Sequence, residues 1–136
     1  MHEVTVSRFV RAPPRVVRRA LTPEAVIRYE GSFEVRDVEE TEDGPVVVTG
    51  TDRFQFALRF ETLDDGLFYE QAGEAGPFDA METTVGVASE NEGSRVTARS
   101  SVSLGLPLAG LTDRIAAWKR KGELKRALDA LAADVE

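Results

Sequence analysis

The sequence has no cysteine and one histidine, His2. Without a thiol there is no disulfide framework, no thiolate nucleophile and no sulfur-ligated zinc site. A lone histidine at the start of the chain leaves no Ser-His-Asp triad and no His-based proton shuttle. Only carboxylate and carbonyl oxygens remain for a hard cation. The acidic runs Asp64-Asp65 and Glu39-Glu40-Thr41-Glu42-Asp43 lack the ligand spacing of a calcium loop, so neither a metal nor a cofactor is expected. No apolar run nears the ~20 residues of a spanning helix, and MHEVTVSRFV lacks the hydrophobic region of a signal peptide. The expectation is a cytoplasmic protein with no stable membrane insertion. Lysine is scarce too: Lys119, Lys121 and Lys125 stand against fourteen arginines.

What is present is an ordinary globular mixture, 42% hydrophobic and 30% charged. Its 136 residues suit one domain spanning 1–136. Seventeen basic and 24 acidic residues give a net charge of −7, which repels polyanions at long range, so neither nucleic acid nor an anionic membrane is expected as a general partner. Few lysines with abundant Asp and Glu fit a halophilic protein as well as a GC-rich codon bias.

The apolar period divides the chain. Val4, Val6 and Val10 alternate with polar residues over 3–11, the pattern of a half-buried strand. Ala12-Pro13-Pro14 ends that strand and suits a helix start over 15–21. Thr22-Pro23-Glu24 supplies a cap, a first-turn proline and an acid for the helix dipole, predicting a second short helix over 23–29 closed by Gly31. Strands follow at 32–40, 45–51, 53–63, 66–72, 78–89 and 94–104, with Thr51-Asp52 a weak break. Their short loops imply antiparallel hairpins. A long helix over 107–135 closes the chain. Leu108, Leu111, Ile115 and Trp118 mark one apolar stripe on it and Leu124, Leu128, Leu131 and Val135 a second. The two are out of phase, and a bend near Gly122 would absorb the slip. The fold class is α+β: a curved antiparallel sheet of six to seven strands around the C-terminal helix, with two short helices after strand one.

Val4-Thr5-Val6-Ser7-Arg8 followed by Ala12-Pro13-Pro14-Arg15-Val16-Val17, then Tyr69-Glu70-Gln71, Gly76-Pro77-Phe78, Glu92-Gly93-Ser94-Arg95-Val96-Thr97 and a last helix with Glu123-Leu124 carry a resemblance. In order and spacing the chain resembles the SRPBCC superfamily, the helix-grip proteins that include START-like lipid carriers, polyketide cyclase/dehydrase-like proteins and the birch-pollen-allergen type. The resemblance implies an internal pocket for a small hydrophobic ligand such as a lipid, isoprenoid or polyketide. It does not choose among carrier, cyclase/dehydratase-like lyase and a protein-interaction domain of the chaperone-activator type.

Phe54, Phe56, Leu58 and Phe60 share one strand face and form the expected ligand wall. Tyr69, Met81 and Trp118 are further ligand-binding candidates, and Phe68 competes with Tyr69 for the inward position. For acid–base chemistry the candidates are Glu82, Asp79 and Tyr69. Arg59 and Arg99 sit on faces that read as solvent-directed. Lys119-Arg120-Lys121 with Lys125 and Arg126 reads as a solvated helix face, through pairs such as Arg120/Glu123 and Lys125/Asp129. A carrier needs no catalytic residue, and the poverty in nucleophiles favours it over an enzyme.

Overall fold

Alternating apolar side chains and short polar turns build one sheet. A computed structural model of the chain describes residues 1–106 and 109–136. Its strands are β1 His2–Val10, β2 Glu34–Thr41, β3 Gly44–Gly50, β4 Gln55–Leu63, β5 Gly66–Ala72, β6 Ala80–Glu90 and β7 Gly93–Ser103. They form a seven-stranded sheet ordered β1-β7-β6-β5-β4-β3-β2, antiparallel at every step. Helices α1 Pro14–Ala20 and α2 Pro23–Glu30 follow strand one, and α3 Ala109–Val135 ends the chain. This is the expected helix-grip arrangement. The Thr51-Asp52 break is real: the Thr51 N–H donates to the Phe54 carbonyl at 2.7 Å, separating β3 from β4. Pro107 and Leu108, expected in the last helix, lie outside the described residues.

Local chemistry sets the short helices. Thr22 caps α2 by accepting from the Ala25 N–H at 3.2 Å, and Pro23 occupies the first turn. Gly31 ends the helix at φ +75°, a left-handed conformation that costs glycine little. The chain thereby turns directly after Glu30.

The β6–β7 hairpin takes its positive φ at Asn91 (φ 45°) and Glu92 (φ 65°), not at the glycine that follows them. Gly93 serves close approach instead, since a Cβ there would lie 2.6 Å from the Val10 carbonyl oxygen.

In α3 no bend is needed at Gly122, for the helix runs unbroken from Ala109 to Val135. Its two stripes face opposite ways. Leu124, Leu128 and Leu131 are buried, whereas Leu111, Ile115 and Trp118 are exposed. Going back from Leu124 by helical steps of four, seven and eleven reaches Arg120, Ala117 and Asp113, and all three are buried. The helix packs on β1, β7 and α2. Its inward residues Ala116 and Ala117 are small and buried. Among the described residues no helix is long and apolar enough to cross a membrane.

Candidate functional site

The sheet registers place three polar side chains in one row. Tyr69 of β5 pairs with Thr83 of β6, and Thr83 pairs with Ser100 of β7. All three point inward and are buried. Arg120 reaches this row from the inward face of α3 and is only 3% exposed. Its Nε donates to Ser100 Oγ at 3.2 Å, and one terminal nitrogen donates to the Tyr69 hydroxyl at 2.8 Å and to Thr83 Oγ1 at 2.9 Å. The other donates to the Glu30 carboxylate and to Glu123 Oε1, the latter at 3.5 Å. A guanidinium has five N–H groups, and each here has an acceptor. Such completeness is what a buried ion pair requires, because burying each ion costs several kcal/mol unless its hydrogen bonds are restored.

Glu30 sits at the last turn of α2, on the same buried face as Val26 and Ile27. One oxygen accepts from Arg120 and the other from the Tyr69 hydroxyl at 3.2 Å. The Glu30 backbone carbonyl accepts from Arg126 Nε at 2.6 Å, and Ser32 Oγ donates to Glu123, so α2 and α3 are clamped from both sides of Gly31. Burial pushes the Glu30 carboxyl above its ordinary range, against the pull of Arg120. The Tyr69 phenol is likewise raised by burial. For Arg120, burial works against the charge, but Glu30 and its other partners hold the guanidinium above its ordinary value.

Beside this cluster lies a pocket of about 920 Å³, lined from α2 by Ile27 and Glu30, from β4 by Phe56 and Leu58, and from β6 by Met81. Phe33, Phe78 and Leu104 add apolar surface, Ala116 and Arg120 line the α3 side, and Thr49 adds a hydroxyl. Its mouth carries Ile115, Trp118, Lys119, Lys121 and Lys125. Pro77 and Phe78 bring the 73–77 loop to the wall. Gln71 holds that loop, its amide donating to the Phe78 carbonyl at 2.6 Å and accepting from the Phe78 N–H at 3.2 Å.

The candidates read from the sequence separate against this geometry. Phe56, Leu58 and Met81 line the pocket. Phe60 shares their strand face but lies deeper, fully buried and stacked on Tyr69 at 4.9 Å between ring centroids. Phe54 falls before β4 begins, so it leaves that alternation and lies half exposed against Phe56 at 5.6 Å. Tyr69 is the inward residue of its strand, which answers the competition with Phe68, but it backs the pocket through Glu30 and Arg120 rather than lining it. Trp118 stands at the mouth, 75% exposed, because its stripe is the outward one. Asp79 and Glu82 are both exposed and offer the pocket no carboxylate. Arg59 and Arg99 face away, paired with Glu70 at 3.4 Å and Glu3 at 3.7 Å.

Glu30 and Arg120 do not stand out in the sequence as site residues. Arg120 reads there as part of a solvated basic run, a reading that its burial corrects. Its Glu123 pair is present, but Asp129 pairs with Arg8 rather than Lys125. The signal for Arg120 is its place on the Leu124–Leu128–Leu131 stripe, and for Glu30 its place four residues after Val26.

No protein-family model matches the chain, and no curated protein does. Solved structures do match. TTHA0849 from Thermus thermophilus is 23% identical with a TM-score of 0.69, over 99% of this chain and 100% of that one. A START superfamily protein from Mycobacterium smegmatis is 14% identical with a TM-score of 0.76, over 99% and 97%. The di-domain ARO/CYC BexL from the BE-7585A biosynthetic pathway is 19% identical with a TM-score of 0.66, over 99% of this chain and 46% of that one. The chain therefore has the helix-grip fold that START and ARO/CYC structures share, as the sequence motifs implied.

Proposed function

We propose that this protein binds a small amphipathic molecule non-covalently, with the apolar body between sheet and α3. The observation that carries this reading is the 920 Å³ pocket with an apolar wall built from Phe33, Phe56, Leu58, Phe78 and Met81. Such a wall stabilises a ligand by roughly 25 cal/mol for each Å² of apolar surface removed from water. Two polar features select within that class. Glu30 holds one partner on each oxygen, which leaves lone pairs able to accept from a ligand hydroxyl. The lysines at the mouth suit an anionic end left near solvent. Arg120, with every donor engaged, supplies positive potential rather than a free hydrogen bond.

A cavity-filling variant tests this. Ala116 faces the pocket, so Ala116→Phe fills it from the helix side. The parent protein is expected to enhance the fluorescence of N-phenyl-1-naphthylamine saturably, and Ala116→Phe to weaken that binding at least ~10-fold, about 1.4 kcal/mol. Equal affinities in two proteins with the same thermal midpoint would sink the reading.

Acid–base catalysis is the second reading. Its one favouring observation is Glu30, a pocket-lining carboxyl pushed upward by burial. It is the weaker because Glu30 is tied to Arg120 and neither Asp79 nor Glu82 faces the pocket as a second acid–base group.

A further inference from the structure

The N-terminal half of α3 is inverted relative to an ordinary amphipathic helix. Its inward face carries Asp113, Ala116, Ala117 and Arg120, while Leu111, Ile115 and Trp118 point outward and are 60%, 58% and 75% exposed. Leu106 just before it is exposed as well. An outward row of large apolar residues at i, i+4 and i+7 gives the isolated fold no burial, so it suits an external surface.

Charge identifies that surface. Residues 109–128 hold six basic and two acidic side chains, against eleven basic and 22 acidic in the rest of the chain. All three lysines fall within this segment. With Arg114 they flank the apolar row and are exposed, and among the described residues none of the four makes an ion pair. A second copy meeting this face through a two-fold axis would set cations against cations. An anionic lipid surface matches both features, because lysines pair with headgroups while tryptophan and aliphatic side chains enter the interface. The net charge of −7 opposes approach in most orientations. The same asymmetry turns the acidic remainder outward and this face inward, so it orients the molecule.

We propose that the outward face of the N-terminal half of α3 docks on an anionic lipid bilayer, setting the pocket mouth against the membrane. Ile115, Trp118, Lys119 and Lys121 belong to both the mouth and the face, so a ligand passes between bilayer and pocket with little exposure to water. This inference rests on the pocket reading above, and its test separates the two.

Trp118 is the single tryptophan, so its emission reports docking directly. Vesicles of equal phosphatidylcholine and phosphatidylglycerol are expected to shift it to the blue, saturably and less as salt rises, while pure phosphatidylcholine vesicles leave it nearly unchanged. Leu111 and Arg114 are exposed and outside the pocket. The double variant Leu111→Asp/Arg114→Glu is expected to lose at least ~10-fold in vesicle affinity and to keep its N-phenyl-1-naphthylamine affinity. An unmoved Trp118 emission with anionic vesicles overturns the proposal, even where the naphthylamine still binds and the pocket reading stands. Sedimentation showing a dimer that the double variant abolishes also overturns it, giving the face to a second copy. Vesicle binding without naphthylamine binding would support the docking face and sink the pocket reading instead.

Discussion

Removing Arg120 strips Glu30 of its counter-charge and leaves acceptors on Tyr69, Thr83 and Ser100 without their donor. Arg120→Leu is therefore expected to destabilise the protein by about 3–5 kcal/mol, the usual cost of breaking a buried pair from one side. Glu30→Leu/Arg120→Leu removes both charges and should recover most of that loss. Urea unfolding of the three proteins measures it, and a cost under ~1 kcal/mol for Arg120→Leu would mean the pair is solvated. At this scale the sequence hides more than it reveals. Lysines on either side of Arg120 disguise it as surface, and Glu30 ends a helix too short to show a clear period. Phe56 and Leu58 are legible because strict alternation along β4 fixes facing by parity, whereas the inward phase of 66–72 and 78–89 stays open in the sequence and Phe54 fails one residue outside the strand.

Among the elements, α3 shows how a correct stripe can be assigned to the wrong side. Leu111 and Leu128 look equivalent in sequence, each within an apolar stripe at helical spacing. Leu128 is buried and Leu111 exposed. Leu128→Ala is expected to cost about 2–5 kcal/mol through lost burial and a residual cavity, and Leu111→Ala less than ~0.5 kcal/mol. Thermal or urea midpoints of the two variants decide this, and similar losses would contradict the inverted helix. The slip between stripes is visible from the spacing, but periodicity does not say which stripe meets the sheet. That choice belongs to the polar row Tyr69–Thr83–Ser100, which offers partners to Arg120 and none to Leu111. Helix starts and hairpins are more legible, because Thr22, Pro23 and Gly31 act through backbone chemistry within a few residues.

For the whole molecule, six to seven antiparallel strands and one long helix are readable from changes of period. The pocket is not. Its volume lies between α2, β4, β6 and the small Ala116 of α3, and such a void emerges only when strand registers and helix facing combine. Its position beside the basic, apolar end of α3 joins the site to the molecule's charge asymmetry. The central claim is that a ligand occupies this space, and methionine reports on it. The chain has two methionines: Met81 lines the pocket, and Met1 is exposed at the chain start. In protein carrying 13C-labelled methionine methyls, titration with dodecanoate should move the Met81 resonance saturably and leave Met1 in place. A Met81 resonance that stays fixed up to the solubility limit of dodecanoate, or a shift confined to Met1, would contradict the account.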